Sequence, residues 1–430
     1  MRIWMRMDRN QIRTTEPHGK PGATPAPAWR SWGAAVAGLA FVGACAATEA
    51  AEAPTTPFPN GEAGFVVSRI AYALSRDASE TGGCPDGMTS GYRKVGDVFV
   101  TGPDTPPIPA ATEDATLERV LGQALRATKA PNLCQNPELG KPDPNWHTVR
   151  GKDVPADGID LDGLDSRANG KPAPGTCAHD DFRGLNGERG IDNQFFRVVG
   201  CGKTFQSTGQ SNTWETEMLT GSWGILITLK GVDDLRNDPD VEVGFYSNAD
   251  PIQLSATREP LANATYAIEQ NPRFRATTHG RIVDGVLITD PVDLRFHWIV
   301  NGIRVDRPLQ DARVRMTFTP EGGLEGILAG YTAVEDIYDT QFGFRSGKDG
   351  AGNPSPLHLR ALSSIGYAIT SEHTCQGAYF ALKQYADGHR DPATGQCTSI
   401  STQYRLKAIP AFVVDAPTKS LNAGLETHGQ

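Results

Sequence analysis

Trp223-Gly224-Ile225-Leu226-Ile227-Thr228-Leu229 sets a large apolar side chain at every second position. The same period recurs downstream. Val241, Val243 and Phe245 alternate with Glu242, Gly244 and Tyr246; Leu294, Phe296, Trp298 and Val300 alternate with Arg295, His297 and Ile299; Val314, Met316 and Phe318 alternate with Arg315 and Thr317. A period of two sends one set of side chains into a core and the other to the opposite face. Asn237-Asp238-Pro239, Asp284-Gly285, Asn301-Gly302 and Glu321-Gly322-Gly323 read as turns between these runs. The pattern predicts a mainly β chain, with an antiparallel β-sandwich or partial barrel over residues 206–340.

On either side the period is lost. Residues 63–205 are rich in loops and read as an Asp-rich, disulfide-braced module. In it, Phe65 to Leu74 fits a strand or a short helix, and Ala115 to Ala127 has helical spacing through Leu117, Val120, Leu121 and Leu125. Residues 341–415 predict a small helical cap, with helices over Leu357–Ile369 and Gln376–Ala386 and a last strand over Ile409–Val414. Residues 416–430 read as a frayed tail.

The 430-residue chain holds 47 Gly and 31 Pro, which exceeds ordinary usage by about half and argues against a helical bundle. A net charge of −9 argues against a nucleic-acid binder, which presents a basic face. The N-terminus reads as an export signal over residues 1–46: Arg2, Arg6, Arg9, Arg13, Lys20 and Arg30 precede an apolar run from Trp32 to Ala47 that is too short to span a bilayer. Ala44-Cys45-Ala46 fits simple cleavage, and Phe41-Val42-Gly43-Ala44-Cys45 fits a lipobox with Cys45 as the lipid-bearing residue. An Ala/Thr/Pro/Glu-rich tether over 47–62 follows.

Removing Cys45 leaves six cysteines, Cys84, Cys134, Cys177, Cys201, Cys375 and Cys397, an even set that reads as disulfides in an exported chain. Neighbour pairing is the simplest expectation: Cys84–Cys134, Cys177–Cys201 and Cys375–Cys397. None of the spacings suits haem attachment, a thioredoxin-like site or structural zinc.

The densest polar stretch holds Asp157, Asp160, Asp162 and Asp165, and a second acidic patch follows at Asp180, Asp181, Asp192 and Asn193. Closely spaced carboxylates with Gly at the bends suit calcium, which takes six to eight oxygens. The EF-hand register fails, because Gly158 and Asn169 stand where ligands belong. Gly158-Ile159-Asp160 and Gly190-Ile191-Asp192 echo one another, so the two patches would complete one Ca2+ cage if they met. The alternative is a pair of solvated loops with Asx-turns. Ile159-Asp-Leu-Asp-Gly163, Cys177, Asn186-Gly187 and Gly190-Ile-Asp-Asn193-x-Phe195 form a bipartite pattern that resembles uncharacterised exported proteins, lipoproteins among them, of bacteria. That resemblance implies a secreted or lipid-anchored, disulfide-bearing protein of the periplasm or cell surface, and it implies no activity.

No Gly-x-Ser-x-Gly pentad or His-Glu-x-x-His is present, and Gly200-Cys-Gly-Lys203-Thr204 has Arg197 where a phosphate loop needs Gly. The histidines are scattered, His179 and His297 among them. Glu242, Tyr246, Arg295, His297 and Arg315 are the outward-facing candidates on the middle strands. Two functions follow as expectations. One is a calcium-stabilised binding or structural protein of the envelope, with a glycan or protein partner and a lipid anchor as its membrane contact. The other is an extracellular hydrolase or lyase acting on a polymer from a β-sandwich scaffold.

Overall fold

The computed structural model describes residues 58–74, 80–89, 133–151, 154–165, 172–206, 209, 218, 220, 222–300, 303–349 and 352–416. The export signal with Cys45, the helix over 115–127, the Asn301-Gly302 turn and most of the tail lie outside these residues.

Strand β1 (Ala63–Tyr72) is paired along both edges. On one side it runs antiparallel to β2 (Ile225–Lys230), with Phe65 opposite Ile227. On the other it runs antiparallel to β11 (Cys397–Pro410), with Ile70 opposite Leu406. Between these neighbours the sheet continues through β3 (Asn237–Ser247), β5 (Arg275–Val283), β6 (Val286–Thr289), β8 (Ile303–Phe318) and β9 (Leu324–Ala333). All pairings in this circuit are antiparallel, and it returns to β1 through β11. The expected antiparallel sheet is therefore present, and its two ends meet. Closure satisfies the backbone groups that an edge strand would leave open.

A circuit of this size leaves an interior that side chains can fill. Trp223 stacks on Trp298 with centroids 4.4 Å apart. The guanidinium of Arg307, 2% exposed, lies 4.4 Å over the Trp298 ring and donates to the hydroxyls of Tyr72 and Tyr404, each at 2.8 Å. This ties β8 to β1 and β11 across the core. Strand β7 (Val292–Val300) pairs with the first half of β8, and β10 (Gly388–Arg390) with the start of β11.

Two outer faces are covered as well. The parallel pair β4 (Thr265–Ala267) and β12 (Phe412–Val414) lies over β1, β2 and β3, where Val66, Leu226, Tyr246, Tyr266 and Ile268 form a second apolar cluster. The acidic loop lies over β9, where Ile159 and Leu161 pack against Ile327, Ala329 and Tyr331. Each buried aliphatic side chain contributes about 1.5–3 kcal/mol to holding that loop down. Among the described residues the α-helices are α1 (Gln194–Val199), α2 (Val334–Tyr338), α3 (Leu357–Thr370) and α4 (Cys375–Gln384).

Several expectations are corrected. Residues 54–430 form one compact unit, and strands from 63–205, 206–340 and 341–415 share one sheet, so these segments are not separate bodies. Part of the expected tether packs on the sheet: Phe58 lies edge-on against Phe65, and the Gly61 carbonyl accepts from the Val232 amide. Asn237-Asp238-Pro239 is no turn: it starts β3 at a bulge, where the buried Asp238 carboxylate accepts from the amides of Asp233 and Asp240. Neighbour pairing of the cysteines fails throughout. The disulfides are Cys84–Cys201, Cys134–Cys375 and Cys177–Cys397, because the closed sheet brings sequence-distant segments together.

Peptide mapping without reduction is expected to recover these three pairs. A Cys134→Ala/Cys375→Ala variant is expected to lose about 2–4 kcal/mol in chemical denaturation, chiefly because its unfolded chain is less constrained.

Candidate functional site

The two halves of the bipartite acidic pattern meet. Gly158-Ile159-Asp160 and Gly190-Ile191-Asp192 lie side by side: the Asp192 amide donates to the Ile159 carbonyl at 3.3 Å, and the Asp192 carboxylate accepts from the amides of Leu161 at 2.6 Å and Asp162 at 3.2 Å. Both halves are pinned by one side chain of β11. The Gln403 carboxamide accepts from the Ile159 amide at 2.7 Å and donates to the Ile159 carbonyl at 2.8 Å and to the Asp192 carbonyl. Gly158 is required at this contact, since its φ is +156° and a Cβ would stand 2.5 Å from the Gln403 Oε1.

Asp192 is the centre of a buried polar cluster. Its Oδ1 lies 2.8 Å from His179 Nε2, and Asp181 Oδ1 lies 2.9 Å from the same nitrogen. His179 Nδ1 donates to the Cys177 carbonyl at 2.7 Å, which turns Nε2 toward the carboxylates. Asp387, immediately before β10, is fully buried; one of its oxygens accepts from the Ser401 amide at 2.7 Å, and its Oδ2 has no hydrogen-bond partner. Asp162 Oδ1 accepts from the Leu164 amide, and its buried Oδ2 has no partner. The Tyr331 hydroxyl of β9 is also without a hydrogen bond; the charges of Asp192, Asp387 and Asp162 reach it, as does that of Arg313.

Burial drives the electrostatics. It pushes the carboxyls of Asp160, Asp192 and Asp387 up to about 6; neighbouring carboxylates add to the shift at Asp160 and Asp192, while hydrogen bonds oppose it at all three and the His179 charge opposes it at Asp192 and Asp387. Burial alone would lower His179, but its hydrogen bonds to Asp181 and Asp192 outweigh that and hold the imidazole at about 11. The chemistry open to such a set is to bind a cation. Asp162, His179 and Asp192 each offer a ligand atom, all within 4.8 Å of one another.

Not all the residues singled out from sequence reach this centre. Asp157 pairs with Arg405, and Asp165 sits 3.9 Å from Arg189. Asp160 accepts from the Gly163 amide within its own loop. Asp180 is exposed, and its backbone carbonyl accepts from Gln194 and Arg197. Asn193 is spent as the N-cap of α1: its oxygen accepts from the Phe196 amide, and its NH2 donates to the carbonyls of Ala73 and Asp157. His179, Asp387 and Tyr331 were not among the acidic-loop candidates. The nearness of His179 to Cys177 and Asp181 was the one available signal.

The outward set on the strands does not converge. Glu242 pairs with Lys230 at 3.0 Å, Arg295 lies 3.8 Å from Asp306, and Arg315 donates to the Gly158 carbonyl at 3.0 Å. Tyr246 is buried in the second apolar cluster. His297 is buried against Phe274, and burial lowers its imidazole to about 3, so it stays neutral.

His179 also lines a cleft of about 660 Å³ with Val149, Arg150, Arg197 and Tyr385. A second cleft of about 710 Å³ adds Trp146, Lys383, Gln396 and both cysteines of Cys177–Cys397. The two share Arg150, Ala178, Gln384, Tyr385 and Ala386, so they form one groove between the acidic loops and α4. Compared with protein-family models, curated proteins and solved structures, the chain matches none.

Two variants test the energetics of the cluster. Gln403→Leu orphans buried backbone groups on both loops and is expected to cost about 2–3 kcal/mol, with faster proteolysis confined to residues 156–165. Asp387 has its folded value near 6 against 3.8 for the unfolded chain, so its charge weakens the fold as pH rises from 4 to 6 and fully above that. In chelator, Asp387→Asn is therefore expected to raise the melting temperature at pH 8, by about 1 kcal/mol of stability, and to leave it unchanged near pH 3.5. Equal destabilisation at both values would contradict this account.

Proposed function

We propose that the protein is an exported binding or structural protein of the bacterial envelope, and that it seats a glycan chain in the groove beside α4. The observation that carries this reading is the make-up of that groove. Exposed Arg150, Lys383, Gln384 and Gln396 stand beside the half-buried rings of Trp146 and Tyr385. Aromatic faces cover the C–H faces of sugar rings, while amides and guanidinium groups bond hydroxyls. Cys177–Cys397 lies in one wall and Cys134–Cys375 anchors the first residue of α4, so the walls are held before a ligand arrives and little ordering cost is added on binding. Export is supported by the three disulfides, by the basic and apolar N-terminal run, and by the resemblance of the bipartite pattern to exported proteins.

The test is calorimetric titration of the mature chain with soluble peptidoglycan fragments and other envelope oligosaccharides. Saturable binding is expected, and Tyr385→Ala combined with Gln384→Ala is expected to weaken it about tenfold, or about 1.4 kcal/mol, with the melting temperature unchanged. Absence of binding across the panel would overturn the reading. Release of shortened products would replace it with the hydrolase or lyase reading.

A further inference from the structure

We infer that Asp162, His179 and Asp192 hold a first-row transition-metal dication, of the class of Mn2+, Co2+ or Zn2+, beneath the groove. The three ligands come from three different segments, and the fold delivers them to one point through Gln403, the Cys177 carbonyl and the packing of Leu161.

The donor atoms of Asp162, His179 and Asp192 lie within 4.8 Å of one another, close enough to share one ion. Ligand atoms about 2.1 Å from one ion and about 90° apart stand about 3 Å from each other. His179 Nε2 lies 2.8 Å from Asp192 Oδ1, the Asp162 donor lies within 4.8 Å of both, and an ion entering here releases to solvent the Nε2 proton that now joins His179 to Asp192 and Asp181. The Nδ1 contact to a backbone carbonyl is the outer support that metal-bound imidazoles ordinarily receive.

An acidic cluster alone would not carry this. The independent observation is Tyr331, which belongs to the sheet and not to the acidic loops. Its side chain is 5% exposed, its hydroxyl has no hydrogen-bond partner, and the charges of Asp192, Asp387 and Asp162 reach it, as does that of Arg313. A buried hydroxyl left without a partner within the field of these carboxylates calls for a species that satisfies it. Asp387, immediately before β10, leads to the same conclusion: its carbonyl accepts from the Cys177 amide at 2.8 Å on the loop that bears His179, and its fully buried Oδ2 is unpartnered.

The donor set decides the class of ion. Calcium takes oxygen ligands only, whereas one imidazole nitrogen with carboxylate oxygens suits the borderline dications. The calcium expected from the Asp spacing is thus replaced by a metal that uses His179. One dication also offsets the negative charge of Asp162, Asp181, Asp192 and Asp387 in a site almost closed to water. The inference does not depend on what occupies the groove.

The experiment uses the mature chain, stripped with chelator and titrated separately with Mn2+, Co2+, Zn2+ and Ca2+. One transition-metal ion per chain is expected, with a raised melting temperature and visible absorption from bound Co2+. Asp162→Asn keeps the oxygen that accepts from Leu164 and is expected to weaken binding 10–100-fold. Tyr331→Phe serves as a second variant with little effect on folding, and a weakened or spectrally altered Co2+ site is expected in it. Melting in chelator checks that both variants are folded. No saturable transition-metal binding, parental affinity in both variants, or Ca2+ binding tighter than the other three would each overturn the inference. Because no glycan is present, these outcomes are read separately from those of the groove.

Discussion

Gln403 projects from the outer face of β11, and its carboxamide serves three backbone groups of the acidic loops. The next residue, Tyr404, points inward and accepts from Arg307 beside Tyr72. Adjacent residues of one strand therefore hold the site from one side and the barrel interior from the other, as the pleat of a strand requires. Neighbouring outward positions extend the device: the Ser401 hydroxyl accepts from the Gln194 amide at the start of α1, and Arg405 pairs with Asp157. The cluster around Asp192 is ordered because β11 is ordered, and β11 is ordered because it is paired on both edges.

The disulfides repeat this logic covalently. Cys177–Cys397 joins the loop bearing His179 and Asp181 to the first residue of β11, and Cys134–Cys375 joins the loop before Trp146 to α4. Both walls of the groove are thus tied to the same framework that positions the buried carboxylates. Cys84–Cys201 closes the segment after α1 onto the early loop, close to where Thr89 bonds the Cys201 carbonyl.

Strand character was legible where one face of a strand is apolar and the other polar, as in β2, β3, β7 and the second half of β8. It was illegible in β9 and β11, for different reasons. In β9, Ile327, Ala329 and Tyr331 are apolar on the outer face because the acidic loop covers them, so the alternation disappears. In β11, Ser401 and Gln403 are polar yet buried, because they bond that loop. The same covering misleads at His297, whose outward face is closed by Phe274. At the site, Gly158-Ile159-Asp160 and Gly190-Ile191-Asp192 echo one another in sequence, and the two loops that bear them meet. The residues that give the cluster its character, His179 and Tyr331, carry no acidic pattern, and Asp387 stands alone in an Asp-Gly pair that reads only as a helix stop.

The double pairing of β1 has a consequence for how the chain acquires this shape. Its partners lie at residues 225–230 and 397–410, so this strand waits for the synthesis of more than 300 further residues before its second edge is satisfied. Contacts this remote in sequence make closure slow compared with local pairing. Through that interval Phe65, Val66 and Val67 form an apolar, hydrogen-bond-hungry ribbon, the kind of segment that aggregates or recruits a holdase. The loops bearing Asp162, His179 and Asp192 are synthesised long before Gln403, and so the polar centre takes shape as one of the last events of maturation.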